Sequence, residues 1–228
     1  EWSGLPSRLD PNPLYDWPVI AEAAEATRGA LALSSSPRRR GSSSGLGSRL
    51  RGNDELTASN VILKRRSAQA FDGVASMPAT VFRNLLSSLL PGGSPVWEMW
   101  TALPRVHPVI FVHRVEGLAP GLYILPRSES GVADLGAAMR AEFEWTPADA
   151  TLPLYRLIAA NAQRSARSVS CHQDIASHSA FTVMFVAEFA APIEASPAVW
   201  RHLHWEAGML GHCLTLEAEA AGWRGTGI

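Results

Sequence analysis

The clearest chemical signal in the sequence is the stretch KRRSAQAF, where Lys64, Arg65 and Arg66 are followed closely by Ser67 and Gln69. The planar guanidinium group of arginine binds phosphate oxygens through parallel N–H donors. A serine hydroxyl and a glutamine amide can pair with the polar edge of a heterocycle. Together these residues indicate a ligand that carries both groups, such as a mononucleotide. A solvated basic turn is the alternative interpretation.

A second group of reactive side chains consists of Cys171, His172 and His178. It could form a metal site or a Cys–His nucleophile pair. No third ligand follows at a recognised spacing, however, and adjacent residues rarely chelate one ion. We therefore expect a partly buried thiol with ordinary polar contacts.

Two further histidines, His202 and His204, lie in a segment with a helical pattern. A separation of two residues turns a helix by about 200°, so their side chains point to opposite faces and cannot share an ion. His202 and Glu206 do share a face, where we expect a hydrogen-bonded surface pair rather than a metal site. No metal ligand is predicted.

The composition is that of a globular protein, because 46% of the 228 residues are apolar and 18% are charged. No apolar run reaches the ~18 to 20 residues that span a bilayer, so no membrane association is predicted. The formal net charge of −1 provides no long-range attraction for nucleic acid. Cys171 and Cys213 do not form a C-x-x-C motif, which predicts free thiols and a reducing, cytoplasmic environment.

The elements that must position these residues are predicted from hydrophobic periodicity. Residues 76–93 show a helical apolar stripe that stops at a Pro-Gly pair, and residues 109–115 and 122–125 are two strand-like runs joined as a hairpin. A polar helix is predicted at 153–167. The nearly all-apolar run at 180–189 is typical of a strand buried inside a sheet.

A long helix of roughly 25 residues is predicted near the end of the chain, with Ser196 as its cap, Pro197 in its first position and Gly222 after its end. Its apolar residues surround much of the circumference, so we expect burial on several sides. Gly208 and Gly211 inside it indicate close approach by a ligand, a neighbouring helix or a second subunit.

Three segments are predicted along the chain. Residues 1–33 form a leader, residues 34–58 a flexible low-complexity insertion, and residues 59–228 the main domain. The insertion is rich in Ser, Gly and Arg, and it has too little apolar surface to offset the entropy of ordering. Its stretch GLGSRLRG at 45–52 lacks the G-x-G-x-x-G spacing of a dinucleotide-binding loop, so it is not taken as a phosphate site.

Four stretches together resemble the nitroreductase-like flavoprotein family, and specifically its SagB-type dehydrogenase branch. They are RRSAQAFDG at 65–73, HRVEGLAPGLYIL at 113–125, SCHQDIASHSAF at 170–181 and WRHLHWEAGMLGHCLTLEAEAAGWRGTGI at 200–228. The resemblance implies an α+β, nitroreductase-like fold, in which a central, mostly antiparallel sheet is flanked by helices and one long central helix is buried.

The resemblance also implies FMN as the cofactor. In that family an Arg-(Arg or His)-Ser-x-(Arg or Lys) segment holds FMN, and a glycine-rich passage after the long helix brings backbone groups to the reactive face of the flavin. The residues that match the first segment are Arg65, Arg66, Ser67 and Gln69, and those that match the second are Gly225, Thr226, Gly227 and Ile228.

The function implied by the resemblance is that of an FMN-dependent oxidoreductase. Hydride would pass through the flavin to or from a small-molecule or peptide substrate, with NAD(P)H as a candidate electron donor and no catalytic side chain. The resemblance further implies a homodimer, or pairing with the other half of a tandem protein in which residues 1–33 are the join and the domain is truncated at its C-terminal end.

One alternative remains from the sequence. Gln69 stands where the family usually has Arg or Lys, and ALPRVHPVIF at 102–111 replaces the segment that normally lies along the flavin ring. These departures favour a degenerate nitroreductase-like half without productive FMN, which would act as a dimerisation or scaffold partner.

Overall fold

The computed structural model describes residues 18–28 and 57–228. The helices of this part are α1 (Pro18–Ala26), α2 (Ala58–Lys64), α3 (Ala79–Ser87), α4 (Gly131–Ala138), α5 (Gln163–Val169), α6 (Asp174–His178), α7 (Ala190–Ala195) and α8 (Val199–Ala220). The strands are β1 (Val106–Val112), β2 (Gly121–Ile124), β3 (Thr146–Pro147), β4 (Tyr155–Ala159) and β5 (Phe181–Ala187).

The strands form one antiparallel sheet in the order β3–β4–β2–β1–β5. Val109 of β1 lies opposite Ile124 of β2 on one side and Met184 of β5 on the other. The β1–β2 pair confirms the hairpin predicted from the sequence. Its connection contains Gly117 at φ +73°, a backbone conformation that favours glycine. The antiparallel sheet with its helices confirms the α+β class.

Helices cover both faces of the sheet because β1 is apolar on both sides. Ile110 and Val112 belong to the larger core, together with Leu86 of α3 and residues of α8. Val109 and Phe111 belong to two smaller clusters with residues of α4, α5 and α6. Every residue of β1 is buried, and the alternation of side chains along a strand lets one strand serve cores on both faces. The helix predicted within 76–93 is confirmed as α3.

The polar helix predicted at 153–167 is wrong. Its first part is the strand β4, in which Tyr155 lies opposite Ile124 of β2, and only its end enters the helix α5. A helix along this whole stretch would leave the outer backbone groups of β2 without partners. Leu157, which is 0% exposed, packs against Val109 and Ile124 in one of the two smaller clusters. Tertiary packing therefore overrides the local helical pattern.

The apolar run at 180–189 is a strand, as predicted, but it is not internal to the described sheet. β5 is an edge strand, and every one of its residues is half-buried. Phe181 packs edge to face on Phe82 of α3, with ring centroids 5.1 Å apart. A nearly all-apolar run therefore predicts a strand but not its place in the sheet. It can be an edge strand beside a cavity, as β5 is, or a strand between two others.

The long helix is confirmed as α8, although it begins later than predicted. Its N-cap is Ala198 rather than Ser196, because the Ser196 carbonyl accepts a hydrogen bond from the Val199 amide at 3.0 Å and closes a separate turn before the helix. Gly222 follows the end of α8 at φ +78°, the left-handed conformation expected just after a helix.

Burial of α8 on several sides is confirmed for its second half, where every residue from Cys213 to Ala220 is buried or half-buried, and is wrong for its first half. Trp200 and Trp205 are 43% and 47% exposed. No atom lies within 4 Å of a Cβ placed on Gly208, and Gly211 makes only an ordinary contact with Phe185 at 3.9 Å, so no close approach is made within the described chain. The buried residues are Leu203, Glu206, Leu210, Cys213 and Ala218.

The segments before the main domain are only partly described. The predicted leader contains α1, whose Ala24 carbonyl accepts a hydrogen bond from Arg201 of α8 at 2.9 Å. The predicted insertion at 34–58, with its stretch at 45–52, lies outside the described residues except at its end. There the hydroxyl of Thr57 caps α2 by accepting the Asn60 amide at 3.2 Å. None of the described helices is long and apolar enough to cross a membrane.

Candidate functional site

The two segments predicted to hold the cofactor meet in the folded chain. The amide of Ala68 donates a hydrogen bond to the carbonyl of Gly225 at 3.1 Å. The chain can reach this position because α2 ends at Lys64 and Arg65 then adopts a non-helical backbone, with ψ 131°. The basic segment therefore runs beside the glycine-rich segment that follows α8.

A cavity of about 850 Å³, here called the larger cavity, borders this junction. Phe181 and Phe185 of β5 contribute an apolar wall, and Gly208 and Gly211 of α8 contribute a wall with no side-chain bulk. Arg65 also lines the larger cavity. The glycine-rich segment completes it with Gly225, Thr226, Gly227 and Ile228.

A second cavity of about 830 Å³, here called the smaller cavity, adjoins the first. Arg66, Ser67 and Gln69 line the smaller cavity but not the larger one. Arg65 is thus separated from the other three residues predicted in its segment. The residues that line both cavities are Phe71, Asp72, Ala75, Trp223 and Arg224.

The side chains of the basic segment keep donors free for a ligand. Nη1 of Arg65 makes a long hydrogen bond of 3.4 Å to the Ser67 hydroxyl. Nη1 of Arg66 donates to the carbonyls of Leu63 and Arg65 at 3.0 and 2.8 Å. No carboxylate of the described segments forms an ion pair with either guanidinium. Two positive charges are therefore available to anions.

The glycine-rich segment combines one packed and one open glycine. A Cβ on Gly225 would lie 3.2 Å from Cγ2 of Thr215, so this residue is kept small by the side of α8. A Cβ on Gly227 would have no atom within 4 Å, which leaves its backbone accessible to a ligand. Thr226 is half-buried, whereas Ile228 is 58% exposed.

Two residues that the sequence analysis missed, Asp72 and Arg114, also shape the larger cavity. Hydrogen bonds from the Val74 and Ala75 amides lower the pKa of Asp72, and the charge of Arg114 acts in the same direction. Arg114 lies two residues after β1, within one of the stretches that carried the family resemblance. Its position in that stretch could have indicated a role for Arg114 in the site. The sequence alone, however, does not distinguish an arginine that lines a cavity from one that is solvated.

The expectation of a partly buried thiol at Cys171 is wrong. Cys171 is free and exposed, and it lines the larger cavity together with His178 and His212. Cys171 and His172 lie in a turn after α5 with φ +52° and +60°, and this turn places both on the surface. In the part of the chain that is described, no group of three or more His, Cys, Asp or Glu side chains is arranged to hold a metal ion.

The surface pair predicted between His202 and Glu206 is also wrong, because Glu206 faces the core. Its side chain is 1% exposed and forms an ion pair with Arg127, whose side chain is 0% exposed. Arg127 also donates from Nε to the Leu89 carbonyl at 2.6 Å and from Nη1 to the Val106 carbonyl at 2.9 Å. This network anchors α8, one wall of the larger cavity, to the sheet.

Comparison with known proteins identifies the fold. No family model and no curated protein matches the chain. One similar solved structure is from Anabaena variabilis and is described as that of a nitroreductase, with a TM-score of 0.53 and 22% identity over 72% of this chain and 31% of that one. The chain therefore spans about a third of the length of that protein. These values, together with the antiparallel sheet, show that the chain has a nitroreductase-like fold.

Proposed function

We propose that the chain is an FMN-dependent oxidoreductase that passes hydride through a bound flavin to or from a small-molecule or peptide substrate. The junction of Ala68 with Gly225 carries the proposal. It holds a cationic segment, which can pair with a phosphate, against a glycine-rich segment whose backbone is open to a flat ring, and both lie beside a cavity. The nitroreductase-like fold supports the same class of function.

The residues around the larger cavity fit FMN in charge and shape. Arg65 offers a guanidinium to the phosphate, and the half-buried rings of Phe71 and Trp223 offer apolar surface to the isoalloxazine. The open backbone at Gly227 can approach the polar edge of the ring. The volume of about 850 Å³ lies within the range of about 300 to 1,000 Å³ typical of ligand sites.

A flavin, when bound, supplies two-electron redox chemistry by hydride transfer. The chain supplies binding and orientation. Arg65 neutralises the phosphate, the backbone of the glycine-rich segment fixes the polar edge of the ring, and Phe181 and Phe185 exclude water from the apolar wall. No side chain has to act as a nucleophile, so we assign none to catalysis.

The finer assignment is to the SagB-type branch, in a reducing, cytoplasmic environment. It is supported by HRVEGLAPGLYIL at 113–125 and by the free thiols of Cys171 and Cys213. The branch implies oxidation of azoline rings in peptides, whereas general nitroreductases take electrons from NAD(P)H to nitroaromatics or quinones. Both substrate types fit the proposed hydride chemistry.

The proposed partner is a second copy of the chain or the other half of a tandem protein. The exposed surface of α8 supports this proposal, because Trp200 and Trp205 are nearly half exposed and the space beside Gly208 is open. Exposed aromatic surface of this kind is typical of interaction sites.

The same surface also supports a second candidate function, that of a dimerisation or scaffold partner without productive FMN. Gln69 favours it, since this exposed residue provides no charge to the smaller cavity.

Flavin uptake distinguishes the two candidates. The purified chain is incubated with FMN or riboflavin, passed through a desalting column and assayed for flavin absorbance. We expect FMN to bind more tightly than riboflavin by about 1.5 to 3 kcal/mol, because riboflavin lacks the phosphate that makes charge-assisted hydrogen bonds. Equal affinities would contradict the role of Arg65. A chain that takes up neither flavin but sediments as a dimer would support the role of a scaffold partner.

A further inference from the structure

We propose that Arg114 and Arg224 form an anion site on the larger cavity, which binds a carboxylate or phosphate group of the substrate. Neither arginine belongs to the residues assigned to the cofactor above. The assignment to a substrate rests on the proposed oxidoreductase function, whereas the anion site itself rests on the two guanidinium groups and the cavity that both of them line.

The guanidinium of Arg114 is held in place before a ligand arrives. Its Nε donates to the Ala75 carbonyl at 3.2 Å, and its Nη2 donates to the carbonyls of Ser179, at 2.9 Å, and His178. These acceptors belong to two distant segments of the chain. Nη1 makes no hydrogen bond to any described residue. Because the guanidinium is planar and is held through Nε and Nη2, its Nη1 points in a defined direction. The side chain therefore loses little conformational entropy when it binds an anion.

The described residues contribute more positive than negative side-chain charge to the larger cavity. No ion pair involves Arg114 or Arg224 within 18–28 and 57–228. Asp72 contributes the one acidic side chain among the described residues that line the larger cavity. Its Oδ1 already accepts the amides of Val74 and Ala75 at 2.8 and 2.9 Å.

With Arg65 included, three arginines and one acidic side chain therefore line the larger cavity. An excess of positive charge in a concave site attracts anionic ligands.

The three arginines reach the larger cavity from different elements of the chain. Arg65 follows α2, Arg114 follows β1, and Arg224 follows α8. A cavity of about 850 Å³ lies near the upper end of the usual range for ligand sites, so it has room for a ligand beside the cofactor. A phosphate held by Arg65 leaves Arg114 and Arg224 for a second anion.

The test compares benzoate with benzamide, two flat molecules of similar size of which only benzoate is charged. The 228-residue chain is loaded with FMN and titrated with each compound by calorimetry. We expect benzoate to bind at least about tenfold more tightly, because charge-assisted hydrogen bonds are about twice as strong as neutral ones. Equal affinities would overturn the proposal.

Arg224→Gln is the cleaner variant, because no described residue accepts a hydrogen bond from the Arg224 side chain. Its melting temperature should equal that of the unmodified chain, and its preference for benzoate should fall severalfold. Arg140→Gln is the matched control, since Arg140 is exposed and lines neither cavity. An Arg224→Gln preference equal to that of the control would remove Arg224 from the site.

Arg114→Gln is paired with Arg114→Lys, because Arg114 also braces the backbone. If Arg114 binds the anion, the Arg114→Lys variant should retain part of the preference for benzoate and the Arg114→Gln variant should lose it. A purely structural brace has another signature. Both variants would then melt at a lower temperature while the folded protein kept its full preference, and this result would overturn the role of Arg114.

Flavin absorbance, recorded for each variant, separates failure of the anion site from failure of the proposed function. A flavin-loaded chain with no benzoate preference overturns the anion site alone. A preference that depends on Arg114 in a chain without flavin supports the site and overturns the redox function. Loss of flavin from both Arg114→Gln and Arg224→Gln, with the preference unchanged, would assign the site to the cofactor phosphate and overturn the substrate proposal.

Discussion

Arg65 and Arg66 are adjacent in sequence but have different surroundings. Arg65 lines the larger cavity and makes one long hydrogen bond to Ser67 at 3.4 Å. Arg66 lines the smaller cavity, and its Nη1 is used by two backbone carbonyls. A pair of neighbouring charges therefore does not have to bind one anion, and the two arginines should differ in their contribution to flavin binding.

The first prediction is that Arg65→Ala lowers FMN affinity by about 1.5 to 3 kcal/mol, because it removes a charge-assisted contact to the phosphate. Arg66→Ala should cost less, since part of its donor capacity already serves the carbonyls of Leu63 and Arg65. Flavin fluorescence titration measures both. Arg140→Ala, a change at an exposed arginine outside both cavities, is the control. Equal affinities for Arg65→Ala and the control would contradict the assignment of Arg65.

His107 is the residue through which pH should affect stability. Burial lowers the pKa of His107 to about 4, and the charge of Arg127 contributes in the same direction. The neutral ring accepts a hydrogen bond at Nδ1 from the Arg127 amide at 3.0 Å. Between about pH 6.5 and 4 the unfolded chain binds a proton here that the folded chain does not, so this contribution to stability is complete above pH 6.5 and declines as the pH falls.

We accordingly predict that the free energy of unfolding decreases by up to about 3 kcal/mol through this group as the pH falls from 6.5 to 4. Urea unfolding at a series of pH values measures the slope. His107→Asn keeps an acceptor near the position of Nδ1 but cannot titrate, so its stability should vary less with pH in this window. The same slope in both proteins would show that other groups cause the dependence.

At the scale of elements, the ion pair between Glu206 and Arg127 fixes α8 to the sheet. Both side chains are almost fully buried, and the Trp97 ring lies 4.4 Å from the guanidinium carbon of Arg127. The Arg105 amide also donates to the Glu206 carboxylate, at 3.1 Å. Removing one member of such a pair leaves the other charge buried without compensation.

Glu206→Gln is predicted to lower the free energy of unfolding by about 3 to 5 kcal/mol for this reason. Glu144→Gln is the matched control, because Glu144 lies 3.7 Å from Arg156 in a pair with side chains 55% and 30% exposed. An exposed pair contributes about 0 to 1 kcal/mol, so the control should be nearly neutral. Urea unfolding compares the two, and similar losses would contradict the importance of the buried network.

Several elements could be predicted from sequence because their signals are local. The apolar stripe of α3, the hairpin of β1 and β2, and Gly222 after α8 each depend on spacing within one segment. β4 could not be predicted from its own sequence, because it forms a strand only by pairing with β2, about thirty residues earlier in the chain. The turn before α8 was missed for a related reason, since Ser196 and Pro197 carry the same preferences in a turn as in a helix start.

The candidate site shows the same division between local and distant information. The basic segment and the glycine-rich segment were found from sequence, but the hydrogen bond between Ala68 and Gly225 joins residues that no spacing relates. Arg114 was missed because its acceptors, Ala75 and Ser179, are brought together only by the fold. Only the family resemblance predicted that these two segments belong to one site, because residue patterns within each segment do not relate them.

For the molecule as a whole, the main feature is the surface that the described chain leaves uncovered beside the larger cavity. All residues of β5 are half-buried, although the strand is almost wholly apolar. Trp200, Trp205 and the open space at Gly208 lie along the neighbouring helix α8. A second subunit on this surface would bury the aromatic side chains and also close one side of the proposed cofactor site.

The last prediction is that the chain is a dimer through α8 and that Gly208→Arg makes it monomeric. No atom lies within 4 Å of a Cβ at Gly208, so the folded monomer can accommodate arginine while a partner helix could not. Gly136→Arg is the matched control, since Gly136 is also an exposed helical glycine with open space around its Cβ. Sedimentation velocity should give a dimer for the unmodified chain and for Gly136→Arg but a monomer for Gly208→Arg. An unmodified chain that sediments as a monomer, or a Gly208→Arg variant that remains dimeric, would exclude α8 as the interface.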